Sequence, residues 1–130
     1  MTIVTFDYDS SFVPSAPVLE IEIDGYNRGM GKQRIHALID SGADATLIPT
    51  TILETVGATY KETGWMQGIT GRRMEVDLYL TGIRVGTQLI EGVTVVGTTA
   101  TIDPIIGRDV LNQLVVTLDG PGETTTIQRS

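Results

Sequence analysis

Cysteine is absent from the 130 residues, which removes disulfides, thiol nucleophiles and thiolate metal sites together. Histidine occurs once, as His36, so a histidine-based metal cluster within one chain is excluded. A Ser41–His36 dyad is also disfavoured, because at strand spacing the two side chains point to opposite faces. Basic residues are few, 9 against 16 acidic ones, for a formal charge of −7. Binding a phosphate backbone needs clustered Lys and Arg, so no nucleic-acid partner is expected. No run of about 18 apolar residues exists to span a membrane. The start Met1-Thr2-Ile3-Val4-Thr5-Phe6 lacks the basic region and apolar length of a signal peptide. A cytoplasmic location follows as the expectation, with no membrane partner. No cofactor and no metal are expected either.

What is present is a turn-rich, moderately apolar chain: 41% hydrophobic residues and 15 glycines. That composition suits one β-rich domain over residues 1–130, large enough to bury a core unaided. Residues 2–6 read as a short strand and residues 9–17, broken by Pro14 and Pro17, as a linker. Residues 18–23 alternate apolar and acidic side chains, a half-buried strand. A Gly-rich turn over 24–32 returns the chain as a strand over 34–39. Thr50 is positioned to cap a short helix that Gly57 ends. Strands are expected at 60–66, 73–80, 83–90 and 93–96, a buried segment at 104–106 and a short helix at 108–111. Strands at 115–118 and 124–127 flank the turn Asp119-Gly120-Pro121-Gly122, a C-terminal hairpin extension over 119–130.

The chemistry concentrates in Asp40-Ser41-Gly42-Ala43-Asp44, delivered by the apolar run Ala37-Leu38-Ile39. Asp-Ser-Gly alone is ordinary Asx-turn chemistry. An apolar strand feeding it puts the acid at the edge of a core instead of on a surface tip. Carboxylate hydrolysis of a peptide needs two carboxyls sharing a proton, because two close carboxyls do not both ionise readily. The sequence carries this motif once. Gly42, with no Cβ, lets backbone approach closely. Asp7-Tyr8-Asp9-Ser10-Ser11-Phe12 lacks the glycine and the terminal Glu of a calcium loop. Gly29-Met30-Gly31-Lys32 lacks phosphate-loop spacing.

The segment Leu38-Ile39-Asp40-Ser41-Gly42-Ala43-Asp44-Ala45-Thr46-Leu47-Ile48 resembles the active-site segment of retropepsins, the retroviral-type aspartic proteases. Pro104-Ile105-Ile106-Gly107-Arg108-Asp109-Val110-Leu111 resembles that family's C-terminal apolar-apolar-Gly-Arg-Asp signature, and Gly68-Ile69-Thr70-Gly71 resembles the tip of its flap. The three stand in the family's order, over roughly residues 18–118. The resemblance implies a mostly β, closed barrel-like fold with one or two short helices and one lobe per chain. It implies Asp40 as the catalytic aspartate, with Ser41, Gly42 and Ala43 supporting the active-site loop. Ser41 corresponds to a hydroxyl that links two such loops across a dimer. Asp44 and Arg108 correspond to an ion pair beneath the cleft, with Asp109 a competing partner for Arg108. Gly68, Ile69, Thr70 and Gly71 correspond to flap residues that contact substrate. Trp65 lies on a flap strand and Tyr60 near its base, where each reads either as cleft cover or as ordinary packing.

The expected function is therefore an aspartic endopeptidase, a homodimer that hydrolyses peptide or protein substrates with one Asp40 from each chain. The alternative of another class is a catalytically weak dimerising or peptide-binding module of the same fold. Ala43 follows the retroviral choice at a position where pepsin-like relatives carry a hydroxyl, and the missing hydrogen bond favours a weakly acidic optimum. One departure stands out. Retroviral dimers are held by interleaved N- and C-terminal strands, and residues beyond Leu118 imply a different or augmented terminal sheet.

Overall fold

In chain order the elements are β1 (Thr2–Asp7), β2 (Val18–Asp24), β3 (Lys32–Ile39), β4 (Leu47–Pro49), α1 (Thr50–Thr55), β5 (Thr59–Gln67) and β6 (Arg73–Val85). They continue as β7 (Gln88–Thr98), β8 (Ile105–Ile106), α2 (Arg108–Leu111), β9 (Val115–Asp119) and β10 (Thr124–Arg129). The computed structural model describes residues 2–27, 29–67 and 71–129. Seven strands form one sheet in the order β2-β3-β8-β4-β7-β6-β5, and β2 also pairs β6, which curls the sheet toward closure. The other three form a separate sheet, β1-β10-β9. The fold is mostly β, as the strand periodicity predicts.

Alternation decides the faces of β2. Leu19, Ile21 and Ile23 are fully buried, each contributing roughly 1.5–3 kcal/mol by leaving water. Glu20 and Glu22 point the other way, and β3 sets His36 and Arg34 directly opposite them. His36 Nε2 lies 3.6 Å from Glu20, a cross-strand pair on an exposed face. Buried side chains from the whole length of the chain, among them Ile48, Leu53, Ile83, Val95, Ile106 and Ile127, join the same core.

Three expectations from sequence need correction. Residues 73–85 form one continuous strand, where a break near Gly82 and a separate strand over 83–90 were expected. Gly82 does not break it: pairing continues there against Asp24, and a Cβ at this position would come within 3.0 Å of the Tyr26 hydroxyl. The reversal instead falls at Gly86, whose φ of +61° an L side chain resists. Thr50 does not cap α1; its hydroxyl donates to the Thr98 carbonyl at 3.0 Å, tying the helix to β7. Gly57 does end the helix, at φ +66°, with Gly57 N–H donating to Glu54 O and Ala58 N–H to Leu53 O, a Schellman closure. Residues 9–17 are more ordered than a linker, because Asp9 and Ala16 exchange two backbone hydrogen bonds.

Candidate active site

Strand β3 carries the chain to Asp40, and β8 fixes where it stops. Leu38 and Ile39 pair in parallel with Ile105 and Ile106, and the Asp40 N–H donates to the Ile106 carbonyl at 3.0 Å. β8 also meets β4 at Leu47. The two apolar segments flanking the motif thus clasp residues 105–106 between them. This long-range insertion brings Gly107 and Arg108 beside a loop more than 60 positions earlier in the chain.

The loop itself is an Asx turn. Gly42 N–H donates to Asp40 Oδ1 at 2.9 Å and Ala43 N–H to the Asp40 carbonyl at 3.1 Å. Turn chemistry and a fixed carboxylate are here the same object, since the turn orients one carboxyl oxygen and leaves the other unclaimed by it. Ser41 is exposed, and its carbonyl accepts from Arg108 Nη1 at 2.8 Å. Arg108 Nη2 reaches Asp44 Oδ1 at 2.5 Å. The guanidinium therefore spans the loop from Ser41 to Asp44 as a planar fork, a geometry that lysine does not offer. Asp44 is 90% exposed in this pair, so the bond orients the loop more than it stabilises the fold.

Asp109, expected as a rival partner for Arg108, faces the other way. Its carboxylate accepts from the Thr46 backbone N–H at 3.0 Å and from the Thr46 hydroxyl at 2.8 Å. It also accepts from the N–H of Val110. The fully buried Thr46 accepts in turn from Gly107 N–H at 3.2 Å. Charge-assisted bonds of this kind are the strong ones, and they offset the partial burial of the Asp109 carboxylate. Gly107 is packed so closely that a Cβ would lie 2.6 Å from the Ala45 carbonyl oxygen and 2.9 Å from that of Ala43. Sequence reasoning missed Thr46. The available signal was a hydroxyl inside the otherwise apolar run Ala45-Thr46-Leu47-Ile48.

Across from the loop stands the β5–β6 hairpin. Cross-strand register pairs Gly64 with Val76 and Met66 with Met74 on one face, and Trp65 with Glu75 and Gln67 with Arg73 on the other. A cleft of about 400 Å³ lies between, bounded by residues 42–45 on one side and by Met66, Val76 and Leu78 on the other. Trp65, 60% exposed, borders it with Arg73 stacked 5.0 Å from its ring. Tyr60 packs edge-on against Tyr79 at 5.8 Å, and burial, followed by the nearby Asp77 charge, holds the Tyr79 phenol above its usual range. Gly71 has φ +78°. Gly68, Ile69 and Thr70 lie outside the described residues. Another hollow, of about 460 Å³, lined by residues 5–10 with Val18, Glu20 and His36, shares no residue with the Asp40 loop. Among the described residues no group of His, Cys, Asp or Glu is arranged to hold a metal ion, and no helix is long and apolar enough to cross a membrane.

Comparison with known proteins agrees with this fold. Residues 14–119 match the family model described as retroviral aspartyl protease. The EIAV protease, solved in complex with the inhibitor HBY-793, superimposes with a TM-score of 0.58 at 21% identity, covering 75% of this chain and 86% of that one. A retropepsin-like aspartic protease from Rickettsia conorii superimposes with a TM-score of 0.65 at 8% identity, over 97% of this chain and 90% of the other. A search of curated protein sequences finds no match.

Proposed function

We propose, for a chain that belongs to the retroviral aspartyl protease family, that it is an aspartic endopeptidase whose active form is a homodimer. The observation that carries this is the Asp40 carboxyl, held on an Asx turn whose following residues 42–45 line a cleft of about 400 Å³, with one such motif in the sequence. Two chains bring two Asp40 side chains together around one water. The ionised carboxylate takes a proton from the water, whose oxygen attacks the scissile carbonyl carbon. The protonated carboxyl gives its proton to the carbonyl oxygen. Collapse of the tetrahedral species breaks the C–N bond, and a proton passes to the departing amine.

The supporting parts have separate tasks. Arg108 and Asp44 keep the loop's far side in place while Asp40 works at its near side. The peptide lies extended between the loop and the β5–β6 hairpin, its alternate side chains entering the cleft. Gly68, Ile69, Thr70 and Gly71 are proposed to close over it. The EIAV enzyme's capacity to hold an inhibitor supports a cleft of this kind as a ligand site.

The test is Asp40→Asn. Asparagine keeps an oxygen at Oδ1 to accept from Gly42, so the turn is retained while the general base is lost. We expect kcat/KM on a peptide library to fall by about 10³-fold or more, with unchanged mass and melting temperature. Cleavage by the variant equal to that by the parent chain, with peptide still bound, refutes the peptidase and leaves a binding module.

A further inference from the structure

We propose that Met74, backed by Met66, is an oxidation site on the cleft face of the β5–β6 hairpin, through which a peroxide reversibly weakens the cleft's hold on apolar peptide side chains. The inference rests on the peptide-cleft reading above and goes beyond it by assigning a regulatory chemistry to one wall.

Composition narrows where an oxidant acts. Thiolates are the side chains that peroxides attack most readily, and the chain has no cysteine. Oxidation falls first to the thioethers, of which there are four. Met66 and Met74 stand together on this hairpin as a directly opposed cross-strand pair. Side chains so placed lie roughly 4.5–5.5 Å apart at Cβ, so a change at one sulfur is felt at the other.

Strand alternation fixes the side they face. Met66 and Val76 both border the cleft, and Val76 pairs with Gly64, two residues from Met66 on the same face. Met74 shares that face, yet it is 54% exposed. A small oxidant therefore reaches Met74, and Met66 carries the change to the cleft. Met30 offers the contrast. It is 44% exposed, but it sits in the turn between β2 and β3, where its Cγ would lie 2.7 Å from a Cβ on Gly57. It is not among the residues that line the cleft.

The surroundings make the modification consequential. Oxidation turns a flexible apolar side chain into a polar one. Around Met66 the wall is formed by Ala45, Leu47, Val76, Leu78 and Val96, and the described lining residues include no hydroxyl or cationic side chain to donate to a sulfoxide oxygen. The Gln67 amide already donates to the Gly71 carbonyl. A sulfoxide on this face therefore holds water where an apolar peptide side chain would lie, and stripping that water costs affinity. The reaction balances with hydrogen peroxide alone. A sulfur lone pair attacks one peroxide oxygen, and the S–O bond forms as the O–O bond breaks. The departing hydroxide takes the proton left on the new oxygen and leaves as water. Sulfur is oxidised and peroxide reduced. Thiol-dependent sulfoxide reductases reverse the step, releasing water as two thiols become a disulfide.

The experiment treats the full chain with hydrogen peroxide, maps each methionine by mass spectrometry, and measures cleavage and binding of a fluorescent peptide library before and after. The sulfoxide should form at Met74 ahead of Met30. KM for peptides with apolar side chains should rise about 10-fold, with kcat within about twofold. A sulfoxide reductase with dithiothreitol should restore the original KM. Methionine and leucine are similar in volume, so a chain carrying both Met66→Leu and Met74→Leu stays folded. After peroxide it should show the KM it had before, whereas Met30→Leu should respond as the parent chain does. Oxidation of Met30 ahead of Met74, a KM unmoved by the Met74 sulfoxide, or undiminished peroxide sensitivity in the double variant each overturns the proposal. A protein that cleaves no peptide but loses peptide affinity on oxidation upholds the site and refutes the peptidase reading instead. One that neither cuts nor binds any peptide before oxidation overturns both.

Discussion

The Asp40 loop and the β5–β6 hairpin border the same cleft, yet they are held by different means. The loop is short, polar and fastened from several sides: by the Ile106 carbonyl, by Arg108, and by the Thr46–Asp109–Gly107 cluster beneath it. The hairpin's β5 is an edge strand, paired only to β6, and most of its side chains are exposed. To the cleft it presents Met66, an unbranched side chain that adapts its shape where branched ones do not. The proposed reaction, with two carboxyls placed closely, calls for the first kind of construction, and accommodating varied peptides would call for the second. Positional accuracy and adaptability are thus allotted to opposite walls.

Substitutions on each wall test that division. After the loss of turnover at Asp40→Asn, the largest effect should come from Gly107→Ala. Its methyl meets backbone oxygens that have no room to yield, so we expect a loss near the upper end of the roughly 1–3 kcal/mol typical of overpacking. Urea unfolding should show a lower midpoint with an unchanged slope, and activity should fall with it. Thr46→Val keeps the shape but removes the hydroxyl that bonds Asp109 and Gly107. A cost of about 1–2 kcal/mol is expected from the unsatisfied groups, with kcat reduced more than KM changes. Trp65→Ala, on the opposite wall, should alter stability by no more than about 1 kcal/mol, the worth of the exposed stack with Arg73. Its effect should appear in KM, with kcat retained. A Trp65→Ala protein that unfolds as readily as Gly107→Ala would break the comparison.

Much of the loop was legible because its signals are local. An apolar strand, then Asp-Ser-Gly, then a Gly-Arg-Asp segment led to residues that the fold brings together. The hairpin strand β5 was legible within a residue at either end. What escaped depends on contacts between distant residues. Thr46 looks like any strand threonine until Asp109 arrives from 63 positions away. Thr50 has a cap residue's chemistry, but β7 offers its hydroxyl a better acceptor. Gly82 and Gly86 are equally plausible breaks by composition. Only the pairing of β6 with β2 and β7 shows that the first sits inside a strand and the second makes the turn.

The terminal sheet has a consequence for the order in which the chain folds. Its central strand, β10, pairs β1 on one side and β9 on the other, so that Thr2 meets Arg129 across almost the whole length of the sequence. Contacts of such separation demand loop closure before they reward it. β1, first to be made, therefore waits for the last strand before it has a partner.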